Sequence, residues 1–182
     1  MIDYYEQQVT ASIPLLRDNQ EQNFLSLENI PLLWPNIEAH KQVWKAFRQE
    51  IVQGGDTYAD VSIRRAFYYE EQACERYRSA CQYYQRKLYC GAAMWLGKTI
   101  FSMGHAIRRW GYTAIWLRHL CSIEQISTSS RDTIYRMLLE ASQQQYRLCT
   151  TLHSLQRTYF AYCFDYALIP SLFEEDREEK RQ

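Results

Sequence analysis

The side chains of this chain best suited to ligate a metal or attack a substrate are four histidines and six cysteines, and their spacing arranges neither chemistry. His40, His105, His119 and His153 fall at separate places, outside any HExxH motif and outside the ExxH pairs that bind paired iron in helical bundles. Cys74, Cys81, Cys90, Cys121, Cys149 and Cys163 include no CxxC pair, and Cys121 follows His119 by two residues, which sets the two on different sides of a helix. A thiolate nucleophile needs a base in contact, so the cysteines read as reduced thiols acting as small hydrophobes. No metal, cofactor or catalytic residue is expected.

Two other motifs invite a chemical reading and fail it. The segment LGKTIFSMGH, residues 96–105, has the Gly-Lys-Thr of a phosphate loop, but Ala92 and Ala93 stand where the upstream glycine is needed. A backbone that is helical through Lys98 cannot aim consecutive N–H groups at a phosphate. Glu70, Glu71 and Glu75 are surrounded by Arg64, Arg65, Arg76 and Arg78, which reads as ordinary surface ion pairing rather than an acid–base pair with a displaced pKa.

The charge distribution carries the functional signal. With 21 bases and 21 acids the formal net charge is zero, yet residues 76–123 hold eight bases and no carboxylate. At the chain's mean frequency that stretch would carry about five or six acids. Residues 1–75 sum to −6, 76–123 to +8 and 124–182 to −2. The bases are Arg76, Arg78, Arg86, Lys87, Lys98, Arg108, Arg109 and Arg118, interleaved with Tyr77, Tyr83, Tyr84, Tyr89, Trp95, Trp110, Tyr112 and Trp116. Bases beside aromatic faces suit an acidic protein surface, a phosphate backbone with stacked bases, or the chain's own acidic N-terminal third.

A net charge of zero weighs toward protein over nucleic acid, because nucleic-acid binders more often carry a positive domain. The expectation is a non-enzymatic interaction protein, an adaptor, assembly factor or complex subunit. Its partner-binding residues are Arg76, Arg86, Lys87, Lys98, Arg108, Arg109, Trp110, Tyr112 and Arg118, facing an acidic protein. Nucleic-acid binding through the same face is the alternative, and an enzyme assembled from isolated His and Cys residues is the third reading. Gly97, Gly104 and Gly111, seven residues apart, form a seam for close helix packing, either within the chain or between two copies in a homodimer.

Helices must position these residues. The composition is 47% hydrophobic with six glycines and four prolines, and a chain of 182 residues is long enough to bury one core without staples. Residues 1–35, interrupted by Pro14, Pro31 and Pro35, read as an irregular N-terminal arm with a short helix near 2–12. Residues 36–172 read as an up-and-down, all-α bundle of four to five helices, and 173–182 as a charged tail.

Within the bundle, helix 36–53 ends on Gly54-Gly55 as its cap. The next helix, capped by Asp56 or Asp60, extends to about Cys90 on the stripe Ile63, Phe67, Cys74, Tyr77, Cys81, Tyr84 and Leu88. A third spans 91–120 with a break near Gly111 allowed for, and a fourth spans 131–167 after a Ser127–Ser130 loop in which Ser129 and Asp132 suggest a cap. Gln145 is the polar member of that last helix's apolar stripe. MIDYYEQQ has no apolar signal region and no stretch approaches 18 uncharged apolar residues. The expected location is therefore cytoplasmic, or nuclear in a eukaryotic or viral setting, with no membrane span.

Overall fold

The computed structural model describes residues 25–53, 57–122 and 128–165, and every element among them is helical. A 3₁₀ turn, Leu27–Asn29, is capped by the Ser26 hydroxyl, which accepts from the Glu28 N–H at 3.2 Å. It leads into the single turn α1 (Ile30–Leu33), which carries Pro31 in its first turn, where a missing N–H costs nothing. The long helices are α2 (Ile37–Gln53), α3 (Thr57–Gln85), α4 (Tyr89–Cys121) and α5 (Thr128–Asp165). The fold is an all-α up-and-down bundle. The expected helix near 2–12, the Gly54-Gly55 cap, the Asp56 cap and the tail at 173–182 lie outside the described residues.

The central element is α4: α3 and α5 pack along it from either side, and α2 crosses the three. Each long helix buries one position per heptad. These are Leu96, Met103, Trp110 and Leu117 on α4, and Ile134, Ala141, Leu148 and Leu155 on α5. Removing each such large side chain from water contributes roughly 1.5–3 kcal/mol. Small residues face one another between α3 and α4, with Ala59, Ser62, Ala66, Ala73 and Ala80 on one side and Ala92, Thr99, Ala106 and Thr113 on the other. Their lack of bulk brings the two backbones close enough for Ser62 Oγ to donate to the Arg109 carbonyl at 3.3 Å.

The expected boundary between the second and third helices moves. The break comes at Arg86–Leu88, not at Gly91, and Lys87 adopts the left-handed conformation with φ 60°. Its N–H bonds the Tyr84 carbonyl at 2.8 Å and that of Leu88 bonds the Tyr83 carbonyl at 3.0 Å, a Schellman arrangement with lysine where glycine is usual. Gly91 lies inside α4, where a methyl group would sit 2.2 Å from the Tyr83 ring. Helix α4 runs unbroken through Gly97, Gly104 and Gly111, so the break allowed for near Gly111 is absent. Helix α5 begins at Thr128, so Ser129 and Ser130 are helical rather than loop.

The glycine seam faces α5 at two of its three positions. A methyl on Gly97 would lie 3.7 Å from the Tyr159 ring, and one on Gly111 would lie 2.7 Å from Gln145 Nε2. These pairs fix an antiparallel register between α4 and α5. A methyl on Gly104 would meet nothing within 4 Å. The polar position wholly inside the α5 core is Gln144, while Gln145 is half-buried against Gly111.

Candidate partner-binding face and a buried polar centre

The side of α4 turned away from α2 carries a second heptad-spaced row: Met94, Lys98, Phe101, His105, Arg108, Tyr112, Ile115 and His119, alternating by four and three residues. All are exposed except His105, which is half-buried. Phe101 is 65% exposed and Ile115 66%, large values for side chains of this size. From first to last the row spans about 37 Å at 1.5 Å per residue. His105 lies between two rings, stacked on Tyr69 of α3 at 4.8 Å and edge-on to Phe101 at 4.5 Å. Lys98 Nζ sits 4.3 Å from the centroid of the Trp95 ring.

The predicted partner-binding residues divide. Lys98, Arg108 and Tyr112 belong to this row. Arg86 and Lys87 are exposed in the α3–α4 turn, beside its beginning, and Arg118 is exposed at the opposite end of α4. About 44 Å of helix separates Tyr89 from Arg118, so the bases form a line rather than one cluster. Arg109 is half-buried on the α3 flank, its guanidinium 5.9 Å from the Tyr112 ring.

Two of the expected residues do other work. Arg76 is half-buried and donates through Nη1 to the Lys98 carbonyl at 3.3 Å and to Ser102 Oγ, tying α3 to α4. Trp110 is completely buried and offers no surface to a partner. Among the described residues no carboxylate lies within ion-pair distance of any of the eight bases. Asp60 is held by Arg48 at 2.5 Å and Arg64 at 2.8 Å, while Lys41 pairs with Glu38 and Glu71. These pairs line an open groove of about 830 Å³ between α2 and α3, floored by Phe67 and Tyr68. Its charges of both signs are largely matched to one another.

Sequence reasoning misplaced Glu70. It is not a surface ion-pair member but 0% exposed, at the centre of three helices. Trp110 Nε1 of α4 donates to its Oε1, and Gln144 Nε2 of α5 donates to its Oε2 at 2.8 Å. Burial pushes its carboxyl above the ordinary range, opposed by those two hydrogen bonds and by the Arg147 charge. The signal was present in the sequence: Glu70 falls in phase between Ile63 and Tyr77, seven residues from each, on the buried stripe of α3.

Around this carboxyl, His40 of α2 lies 5.8 Å from the Trp110 ring and 5.6 Å from Phe67, and Trp44 packs on Trp110 at 4.9 Å. His40 Nε2 is 2.7 Å from Glu140 Oε1 and 3.2 Å from Trp44 Nε1. One ring nitrogen cannot donate to a carboxylate and accept from an indole at once, and the shorter, charge-assisted contact to Glu140 decides the tautomer. Burial lowers the His40 pKa, against the pull of Glu140. Both Glu70 oxygens are engaged by protein donors and the side chain has no exposure, so the centre joins helices and gives a substrate no approach. Among the described residues no group of three His, Cys, Asp or Glu side chains is placed to hold a metal ion, and no helix is long and apolar enough to cross a membrane.

Of the cysteines, Cys74 and Cys81 are buried, and burial raises the Cys81 thiol to about 11, in keeping with an inert core residue. Cys90 and Cys149 are exposed, Cys121 is half-buried, and Cys163 lies outside the residues whose side chains are described. Compared with protein-family models, with curated proteins and with solved structures, the chain matches none of them, so its function rests on the chemistry of its own surface.

Proposed function

We propose that this protein is a non-enzymatic interaction module that presents the outer face of α4 to an acidic protein partner. The observation that carries the reading is the exposed row on α4, in which Lys98 and Arg108 alternate with Met94, Phe101, Tyr112 and Ile115. Monomeric proteins rarely leave such a run of large apolar side chains in water without a use for it. Apolar contact area supplies the affinity of such a face, and its charge selects the partner. The absence of any carboxylate from residues 76–123 makes the attraction one-signed over the whole α3–α4 hairpin end.

The test is a charge reversal on the row. Lys98→Glu with Arg108→Glu is expected to leave the thermal midpoint unchanged, because both side chains are exposed and carry no described ion pair. The same protein is expected to lose a stoichiometric acidic partner that co-purifies with the unaltered chain from its native cell. Retention of that partner by the doubly reversed protein overturns the reading. So does retention of the unaltered chain on single-stranded oligonucleotide with a steep salt dependence, which would assign the face to nucleic acid.

A further inference from the structure

We infer that the element meeting α4 is a single acidic amphipathic helix lying along the row from Met94 to His119. This inference rests on the acidic-partner reading above and adds the shape of the partner. Spacing is the first argument. Met94, Lys98, Phe101, His105, Arg108, Tyr112, Ile115 and His119 keep the four-three alternation without a slip, and a second helix is the element whose side chains return at that period along the full length. A strand or loop would meet the row at one or two places only.

Chemistry is the second argument. Met94 and Ile115 are aliphatic, half and two-thirds exposed, and have no stacking use for nucleobases, whereas both fill the holes of a facing helix. Lys98 and Arg108 stand inside the row, ten residues and about 15 Å apart, so the partner's carboxylates must recur at that interval amid its apolar stripe. A second copy of this chain brings no carboxylate on this segment and would set like charges together. The glycine side of α4 is closed to a partner at Gly97 and Gly111 by Tyr159 and Gln145 of α5. The ring sandwich of Tyr69, His105 and Phe101 holds the middle of the row in place beforehand, which lowers the ordering cost of association.

The experiment measures fluorescence anisotropy of labelled probes against the full chain. The probes are a synthetic amphipathic helix with Leu at the seam positions and Glu on both flanks, a scramble of the same residues, poly-glutamate, and oligo-dT. The inference expects saturable binding of the amphipathic helix at least tenfold tighter than of the scramble. It also expects at least a tenfold loss with Phe101→Glu and Ile115→Glu together, while circular dichroism and the melting midpoint stay as in the parent. Met94→Ser and Phe101→Ser, which introduce no charge, serve as the second variant pair and should weaken binding without altering its salt dependence.

Equal binding of amphipathic helix and scramble, both abolished by Lys98→Glu with Arg108→Glu, overturns the helical inference and leaves the acidic-partner reading standing. Binding of oligo-dT alone overturns both. No binding of the amphipathic helix up to about 1 mM, the weak limit of specific association, overturns the helical inference.

Discussion

Replacement of Glu70 tests the account of the bundle's centre most directly. Glu70→Ala removes the acceptor of two buried donors, Trp110 Nε1 and Gln144 Nε2. Each orphaned donor costs about 1–3 kcal/mol, so the variant should lose roughly 2–6 kcal/mol, less whatever is recovered by no longer burying a carboxyl. At about 2–4 °C per kcal/mol for a chain of this length, a loss near the middle of that range lowers the melting midpoint by roughly 8–16 °C. Glu70→Gln behaves differently. Its carbonyl keeps the indole N–H, and a flip of the Gln144 amide turns its own carbonyl toward the new NH₂, so both contacts survive.

The pH dependence separates the two replacements further. The Glu70 carboxyl is raised by burial above its unfolded value of 4.5, so the folded state holds the proton more tightly than the unfolded. Native stability is therefore greatest below that value and declines as pH rises through the raised folded value. Glu70→Gln lacks this loss, and its stability relative to the parent should grow as pH rises from about 4.5 and then level off. Urea titrations followed by tryptophan fluorescence at several pH values between about 4 and 8 measure both effects. A Glu70→Ala variant within about 0.5 kcal/mol of the parent, or a Glu70→Gln difference independent of pH, refutes the reasoning.

Other substitutions have defined signs. Gly104→Ala should stabilise by up to about 1 kcal/mol, since it restores helix propensity where a methyl group meets nothing, and thermal melting checks it. Gly91→Ala should destabilise by about 1–3 kcal/mol by the same measurement, because the new methyl collides with the Tyr83 ring. Lys87→Gly should stabilise by up to about 1 kcal/mol by relieving the left-handed backbone of the α3–α4 turn, an effect that chemical denaturation resolves. For His40, burial lowers the pKa below 6.5, so protonation opposes the fold and the His40 contribution is lost as pH falls from that value. His40→Gln should flatten that acid-side loss in pH-dependent melting.

Hydrophobic periodicity predicted the long helices and most of the core, because burial of one helix face is a local pattern: Ile63, Phe67, Tyr77, Leu96, Trp110, Leu148 and Leu155 are inside as their spacing demanded. Composition likewise exposed the acid-free stretch. Helix termini were less determined, since Lys87 could take the left-handed position only because the paired packing of α3 and α4 pays for it. Glu70 shows the deeper limit. Its charge suggested the surface and its phase suggested the core, and the choice turned on Trp110 and Gln144, 40 and 74 residues away, arriving with hydrogen-bond donors. The status of Arg76 and Trp110 was settled in the same manner, by neighbours that other helices supply. An apolar side chain chooses its environment by itself. A polar one is buried only where distant parts of the chain converge to satisfy it, and that convergence is a property of the fold.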